Sequence, residues 1–171
     1  MPSKFSITDI LRDELHTLRD FKSGKVSKID FFLNLLFPVI LSIIFVGFNR
    51  LISGGMINSI LTAFSVFAAL LLNLMILVYT IVTRENSKTD KSERDELKLT
   101  LLKETYTNIQ FSVLLSIFTI VGLLLLLFLP SYVWIAIILS ALIYYFIFTF
   151  IFTMLMVLKR THIIMKHEIS T

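Results

Sequence analysis

The chain has 171 residues, of which 56% are hydrophobic, with sixteen Phe and a mean hydropathy of +0.86. This apolar content exceeds what a soluble domain of that length can hide in one core, so an ordinary soluble globular protein is excluded. The formal net charge is +4, and the absence of cysteine excludes disulfides, thiolate metal sites and cysteine nucleophiles.

The first predicted element is an amphipathic helix within residues 1–29. Ser6 is placed as its N-cap with Asp9 three residues later, and Gly24 ends it. Its charges are of both signs, unlike the cationic face of helices that lie on lipid, so we favour packing of its apolar face on protein, of this chain or of a partner, over the alternative of a membrane-surface anchor. That face, a predicted partner or oligomer interface, consists of Ile7, Ile10, Leu11, Leu15 and Leu18.

Four long apolar runs follow, and none of them holds a charged residue: Phe31–Phe48, Met56–Val82, Ile109–Leu129 and Tyr132–Leu158. Each is long enough for a hydrocarbon core of about 30 Å. The sequence therefore predicts an all-α fold, a four-transmembrane-helix bundle. Helices one and two occupy residues 30–83, and helices three and four occupy residues 109–158.

The first two spans contain polar positions that predict their contacts. Pro38 leaves the Asn34 carbonyl without its helical partner, so we expect a kink there, with Asn34, Pro38 and Ser42 facing protein. In the second span, small and polar residues follow a three-four spacing along one seam. We expect this seam to be the main helix contact of that span: Ser59, Thr62, Val66, Ala69, Asn73, Ile76 and Thr80.

Polar residues at middle depth form a predicted intramembrane layer. They either join helices by hydrogen bonds, each worth about 0.6 kcal/mol, or line a pore or a small-ligand site; we favour the first interpretation. Ion-coupled carriers usually need a charged group inside the membrane, and these spans have none. The members of the layer are Asn34, Pro38, Ser42, Asn73, Thr119, Ser140 and Tyr144.

Residues 84–108 are predicted to form a cytosolic turn and a helical stalk. Ser92 and Asp95 open a helix of about 38 residues that extends the third span and has no breaker before Pro130. Its apolar stripe can pack on the N-terminal helix, on the extended end of span two, on another copy, or on a cytosolic protein. This second predicted interface consists of Leu99, Leu102, Tyr106 and Ile109.

Residues 159–171 are predicted to be a short cytosolic tail after span four. His162 and His167 are five residues apart, so they do not share a helix face as zinc-binding histidines do. The sequence also shows no Gly-rich phosphate loop, no serine elbow and no acidic metal cluster. We therefore expect no enzyme activity, no metal and no cofactor.

The distribution of Lys and Arg predicts the orientation. Six precede the first run, six lie between runs two and three, and three follow run four, whereas Arg50 alone lies in the two opposite turns. Because positive loops stay in the cytoplasm, both termini should be cytoplasmic. The same rule explains the basic pI without direct binding of nucleic acid. The low-alanine, Ile-, Phe- and Lys-rich composition suits a bacterial source, so we expect the membrane to be the inner membrane of a bacterium.

Two classes of function follow from this organisation. The first is an oligomeric membrane module that signals to or from a cytosolic protein through its cytosolic helices, with opening of a pore as one output. The second is a small permease or transporter subunit that moves a neutral or apolar substrate through the polar layer.

The whole architecture is similar to one known group of proteins. A short cysteine-free chain with four spans, short outer turns and helical cytosolic extensions resembles the small membrane subunits of bacterial antiphage defence systems, such as that of the Kiwa system. The resemblance implies a homo-oligomeric sensor or effector with a soluble partner, and it assigns no functional residue.

Overall fold

The structure, a computed structural model, describes residues 32, 36–48, 52–87, 93–128 and 133–169. In these ranges the chain forms four α-helices, numbered here in chain order: α1 Phe37–Gly47, α2 Gly54–Asn86, α3 Glu93–Phe128 and α4 Val133–Ile169. The predicted all-helical fold is confirmed for this part of the chain. Six predicted site residues lie outside it: Ile7, Ile10, Leu11, Leu15, Leu18 and Asn34.

Three of the helices are long and apolar enough to cross a membrane, namely α2, α3 and α4. They contain 33, 36 and 37 residues, which corresponds to about 50–55 Å at 1.5 Å per residue. Each therefore exceeds a hydrocarbon core of about 30 Å. As described, α1 has 11 residues and is shorter than a span requires.

The regular part of the first predicted span begins immediately before Pro38. Phe32 and Leu36 adopt wide π-helical turns, and Pro38 stands in the first turn of α1, where a missing N–H is tolerated. Pro38 and Ser42 are buried, as predicted for the protein-facing side of this helix. The Ser42 Oγ donates to the Val39 carbonyl at 2.8 Å.

Close backbone contacts join α2 to α3, α3 to α4, and α1 to α4. Aromatic rings add a link between α2 and α4, since Phe64 and Phe67 lie 5.0 and 5.6 Å from Phe150 between ring centroids. On the other side of α4, the rings of Phe37 and Phe152 lie 5.4 Å apart. The described helices thus form a three-helix unit with α1 added beside α4, rather than a closed ring of four.

Two apolar clusters fill the three-helix unit. The larger one is built mainly from α2, α3 and α4 along the half of the unit that includes Val78, and its buried members are Phe64, Leu71, Val78, Ile109, Val113, Leu115, Phe150 and Val157. The second lies toward the start of α2 and the end of α3, and its buried members are Ile52, Ile57, Leu123, Leu126, Ile143 and Tyr144.

The seam predicted as the main contact of α2 does not face its neighbours in the chain. Its seven residues, from Ser59 to Thr80, are all exposed, whereas Ile57, Phe64, Leu71 and Val78 are buried. That prediction is wrong for the contacts within one chain. Large apolar side chains at every seventh position fill the space beside α3, and the small and polar residues are left outside.

The observed ends of α3 agree with its predicted limits, whereas α4 extends beyond the predicted end of the fourth span. Helix α3 begins at Glu93 and ends at Phe128, close to the predicted limits of Ser92 and Pro130. Helix α4 continues past Leu158 to Ile169 instead of ending in a tail. No Gly or Pro occurs in residues 159–169, so nothing in the sequence stops the helix there.

Candidate functional site: a buried polar stripe on helix α3

Five polar residues lie inside the protein along one face of α3, at steps of three and four: Thr105, Asn108, Ser112, Ser116 and Thr119. Thr105 is 4% exposed and the other four are 0% exposed. From Thr105 to Thr119 the stripe extends about 21 Å along the helix axis. We refer to these five residues as the polar stripe.

The polar stripe points into the interior where α2, α3 and α4 meet. On one side of it, Ile109 and Val113 pack in the cluster with the buried residues of α2. On the other side, the ring of Phe118 lies 5.9 Å from that of Phe146 on α4. At Gly122 a Cβ would come within 3.1 Å of the Ile143 Cγ1, so α3 and α4 approach closely there.

The hydroxyl groups of the stripe donate to their own helix. Ser112 donates to the Asn108 carbonyl at 2.8 Å, and Ser116 donates to the Ser112 carbonyl at 2.9 Å. Thr105 and Thr119 likewise donate to the carbonyls four residues earlier, each at 2.8 Å. These buried protons are therefore satisfied locally, and the residues serve the helix contact by being small rather than by donating across it.

The predicted intramembrane layer is only partly assembled. Ser42, Thr119, Ser140 and Tyr144 are buried, but Asn73 is exposed on the far side of α2. The expectation that such hydroxyls donate between helices is wrong for Ser42 and Thr119, since both donate within their own helix.

Two members of the predicted layer lie on α4: one contacts α1 and the other is buried. The ring of Tyr144 lies 5.5 Å from that of Phe45 on α1. Ser140 is 1% exposed, and its Oγ has no hydrogen-bond partner in the described part of the chain. It thus differs from the stripe hydroxyls, which each have an acceptor.

The sequence did not lead us to predict one set made of Thr105, Asn108, Ser112 and Ser116. The signal was present in their spacing, but the boundary placed at Ile109 divided the set between a stalk and a span. The apolar side chains beside them also form a three-four stripe, and that stripe alone was read as the buried face.

Ion pairs tie the three long helices together at one end, which we call the charged end. The Lys98 Nζ lies 3.8 Å from the Glu85 Oε1 and so joins α3 to α2. The Arg160 Nη2 lies 3.4 Å from the Glu104 Oε2, and its Nη1 donates to the Glu104 carbonyl at 3.3 Å. The side chains of Arg160 and Glu104 are only 12% and 23% exposed, so this pair is more strongly desolvated than a surface pair.

The second predicted interface is buried inside the chain near this end. Leu99, Leu102 and Ile109 are 8%, 7% and 0% exposed, and the partly buried Tyr106 has its ring 6.2 Å from that of Tyr79 on α2. The sequence allowed four packing partners for this apolar stripe of α3. In the structure, the extended end of α2 lies beside it.

The side chains of the polar stripe are uncharged, so they can interact with other groups only through hydrogen bonds and dipoles. The polar stripe contains hydroxyls and one carboxamide, none of which titrates near neutral pH. Among the described residues, no group of three His, Asp or Glu is placed to hold a metal ion.

The chain was compared with protein-family models, with curated proteins and with solved structures, and none of these comparisons gives a match.

Proposed function

We propose that this chain is a non-enzymatic, homo-oligomeric protein of the bacterial inner membrane, with its N- and C-termini in the cytoplasm. In this proposal it is the membrane sensor or effector of a multi-component system and binds a soluble cytosolic partner. The architectural resemblance makes defence against phage the first context to test, with opening of a pore as the output to look for.

The observation that carries the proposal is the continuity of the helices into the charged end. Helices α3 and α4 run without a break from their apolar parts to that end, where the Arg160 side chain contacts both the carboxylate and the backbone of Glu104. Because packed helices move as rigid bodies, a partner that displaces this end would also displace the apolar parts.

A partner at the charged end would contact the side chains that remain exposed there. Lys103 and Lys159 are exposed, whereas Leu99 and Leu102 are already covered by the chain itself. The exposed cations favour an acidic surface on the partner, because opposite charges steer association.

The test uses the chain together with its neighbouring genes in a bacterial host. Phage plaque counts and entry of a membrane-impermeant dye after infection are the two readouts. We expect the double variant Lys103→Glu with Lys159→Glu to lose both responses at an unchanged amount of membrane-inserted protein. The matched control is Ser53→Glu, which adds an exposed negative charge at the opposite end of α2.

Two results count against this proposal. One is an infection response that does not depend on the chain when its neighbours are present. The other is a double variant that responds like the original protein while the Ser53→Glu control also responds normally.

The alternative is a small permease subunit for a neutral or apolar substrate, and the polar stripe favours it. All five stripe residues are at most 4% exposed, so a substrate could pass only after α3 separates from its neighbours. Ser112→Ala combined with Ser116→Ala removes two hydroxyls and keeps the packing. Loss of substrate uptake with an intact response to infection would favour the permease, and the reverse pattern would favour the membrane module.

A further inference from the structure

Helix α2 has two opposite faces that differ in what covers them. Its buried residues Ile57, Phe64, Leu71 and Val78 recur every seven positions and face the rest of the chain. At 3.6 residues per turn, the exposed set lies about 180° away from them. We call this set the outer seam; it consists of Ser59, Thr62, Val66, Ala69, Asn73, Ile76 and Thr80.

The chain covers α2 less than the other long helices. Only 11% of the most apolar 18-residue window of α2 is buried, compared with 44% for α3 and 28% for α4. The outer seam runs for about 32 Å, enough to cross a hydrocarbon core of about 30 Å. It holds no charged residue and keeps a three-four heptad rhythm over its whole length.

Asn73 is the feature that distinguishes this face from one covered by lipid. It lies about 14 Å from Val82, at the inner end of the apolar run, and therefore near the middle of a membrane. Its exposed carboxamide makes no hydrogen bond to the described part of the chain. An amide left in hydrocarbon without a hydrogen bond is strongly disfavoured.

The other polar groups of the outer seam already have acceptors. Ser59 donates to the Gly55 carbonyl at 3.3 Å, Thr62 to the Asn58 carbonyl at 2.9 Å, and Thr80 to the Ile76 carbonyl at 2.9 Å. These hydroxyls can be covered by an apolar surface at little cost. A partner for this face must therefore supply donors and acceptors at one depth only, that of Asn73.

We infer that the outer seam of α2 packs against the same seam of a second copy of this chain, with the two Asn73 carboxamides hydrogen-bonded to each other. Copies inserted in one orientation, around a two-fold axis normal to the membrane, place Asn73 opposite Asn73. A carboxamide is both donor and acceptor and so complements itself. A single Asn at one position of a heptad seam also fixes register, and small neighbours let the helices approach closely.

This inference rests on the homo-oligomeric part of the proposed function and adds the face at which copies meet. The absence of cysteine from the sequence allows a direct test with single cysteines in isolated membranes. Ala69→Cys and Ile76→Cys lie on the outer seam. The matched controls Leu72→Cys and Leu74→Cys are also at exposed positions and flank Asn73, but each points about 100° away from it.

On mild oxidation we expect disulfide-linked dimers from Ala69→Cys and Ile76→Cys and little dimer from Leu72→Cys and Leu74→Cys. In a second measurement, energy transfer between labelled copies in liposomes of decreasing protein content, Asn73→Leu should weaken dimerisation about three- to thirtyfold. Asn73→Gln keeps the amide and should lose less.

The outcomes separate this inference from the proposed function. Cross-linking that favours the control positions, or an Asn73→Leu variant that dimerises as tightly as the original, overturns the paired seam and leaves an oligomer that uses another face. A chain that stays monomeric in liposomes means that lipid covers the seam, and it removes the homo-oligomeric part of the proposed function as well.

Discussion

Buried hydroxyl groups in this protein differ in whether they have an acceptor. The Ser116 Oγ donates to the Ser112 carbonyl at 2.9 Å, whereas the Ser140 Oγ has no partner among the described residues. A buried polar group without a hydrogen bond disfavours folding by about 1–3 kcal/mol, while a satisfied one contributes about 0.5–1.5 kcal/mol.

We therefore predict opposite effects of two matched substitutions. Ser140→Ala should leave the free energy of unfolding unchanged or raise it by about 1 kcal/mol, and Ser116→Ala should lower it by about 1 kcal/mol. Unfolding of the purified protein in detergent measures both. A larger loss for Ser140→Ala than for Ser116→Ala would show that the Ser140 hydroxyl has a partner after all.

At Gly122 there is no room for a larger side chain, because a residue of α4 packs directly against it. A Cβ there would lie 3.1 Å from the Cγ1 of Ile143, which is 0% exposed and has little room to move. We expect Gly122→Leu to lower the free energy of unfolding by about 1–3 kcal/mol through overpacking between α3 and α4.

The control for this prediction is Gly55→Leu. No atom lies within 4 Å of a Cβ at Gly55, so its effect should stay within about 0.5 kcal/mol. Thermal unfolding in detergent compares the two variants, and equal midpoints would contradict the close contact at Gly122.

At the scale of the elements, the sequence predicted where the helices lie better than which faces they bury. Uncharged runs and capping residues located α3 to within two residues of Ser92 and Pro130. The helix of the fourth span continues past the end of its apolar part at Leu158 to Ile169, which the charges after Leu158 did not indicate.

Faces were harder to assign because periodicity shows which residues share a face and not what covers it. The buried set of α2, from Ile57 to Val78, and its outer seam both have regular spacing, and only the packing of α3 decides between them. For the same reason the sequence left four possible neighbours for the stripe that contains Leu99, and α2, which lies beside it in the structure, was one of the four.

The packing of α3 at the charged end can be tested with one core residue and one exposed residue. Leu102 is 7% exposed, so Leu102→Ala should lower the free energy of unfolding by about 2–4 kcal/mol. Lys103→Ala, at the adjacent exposed position, should change it by less than about 0.5 kcal/mol. Unfolding of the isolated chain is the measurement, and tolerance of Leu102→Ala there would mean that another protein normally covers this face.

At the scale of the whole molecule, two asymmetries bear on its orientation in the membrane and on its assembly. Fifteen of the sixteen Lys and Arg residues flank the spans on the predicted cytoplasmic side. In the described helices, α3 and α4 have neighbours on several sides, while α2 turns a full face outward. The first asymmetry predicts the orientation, and the second leaves exposed the face of α2 that the proposed pairing of two copies would cover.

The most direct test of the account is to label the two ends of α2 in living cells. Ser53 and Ser87 are both exposed and flank the 33-residue helix, and the chain contains no other cysteine to confuse the reading. We predict that a membrane-impermeant maleimide labels Ser53→Cys in intact cells and labels Ser87→Cys only after the cells are lysed. Labelling of Ser87→Cys in intact cells as fast as Ser53→Cys would contradict both the crossing of the membrane by α2 and the inward orientation of the charged end.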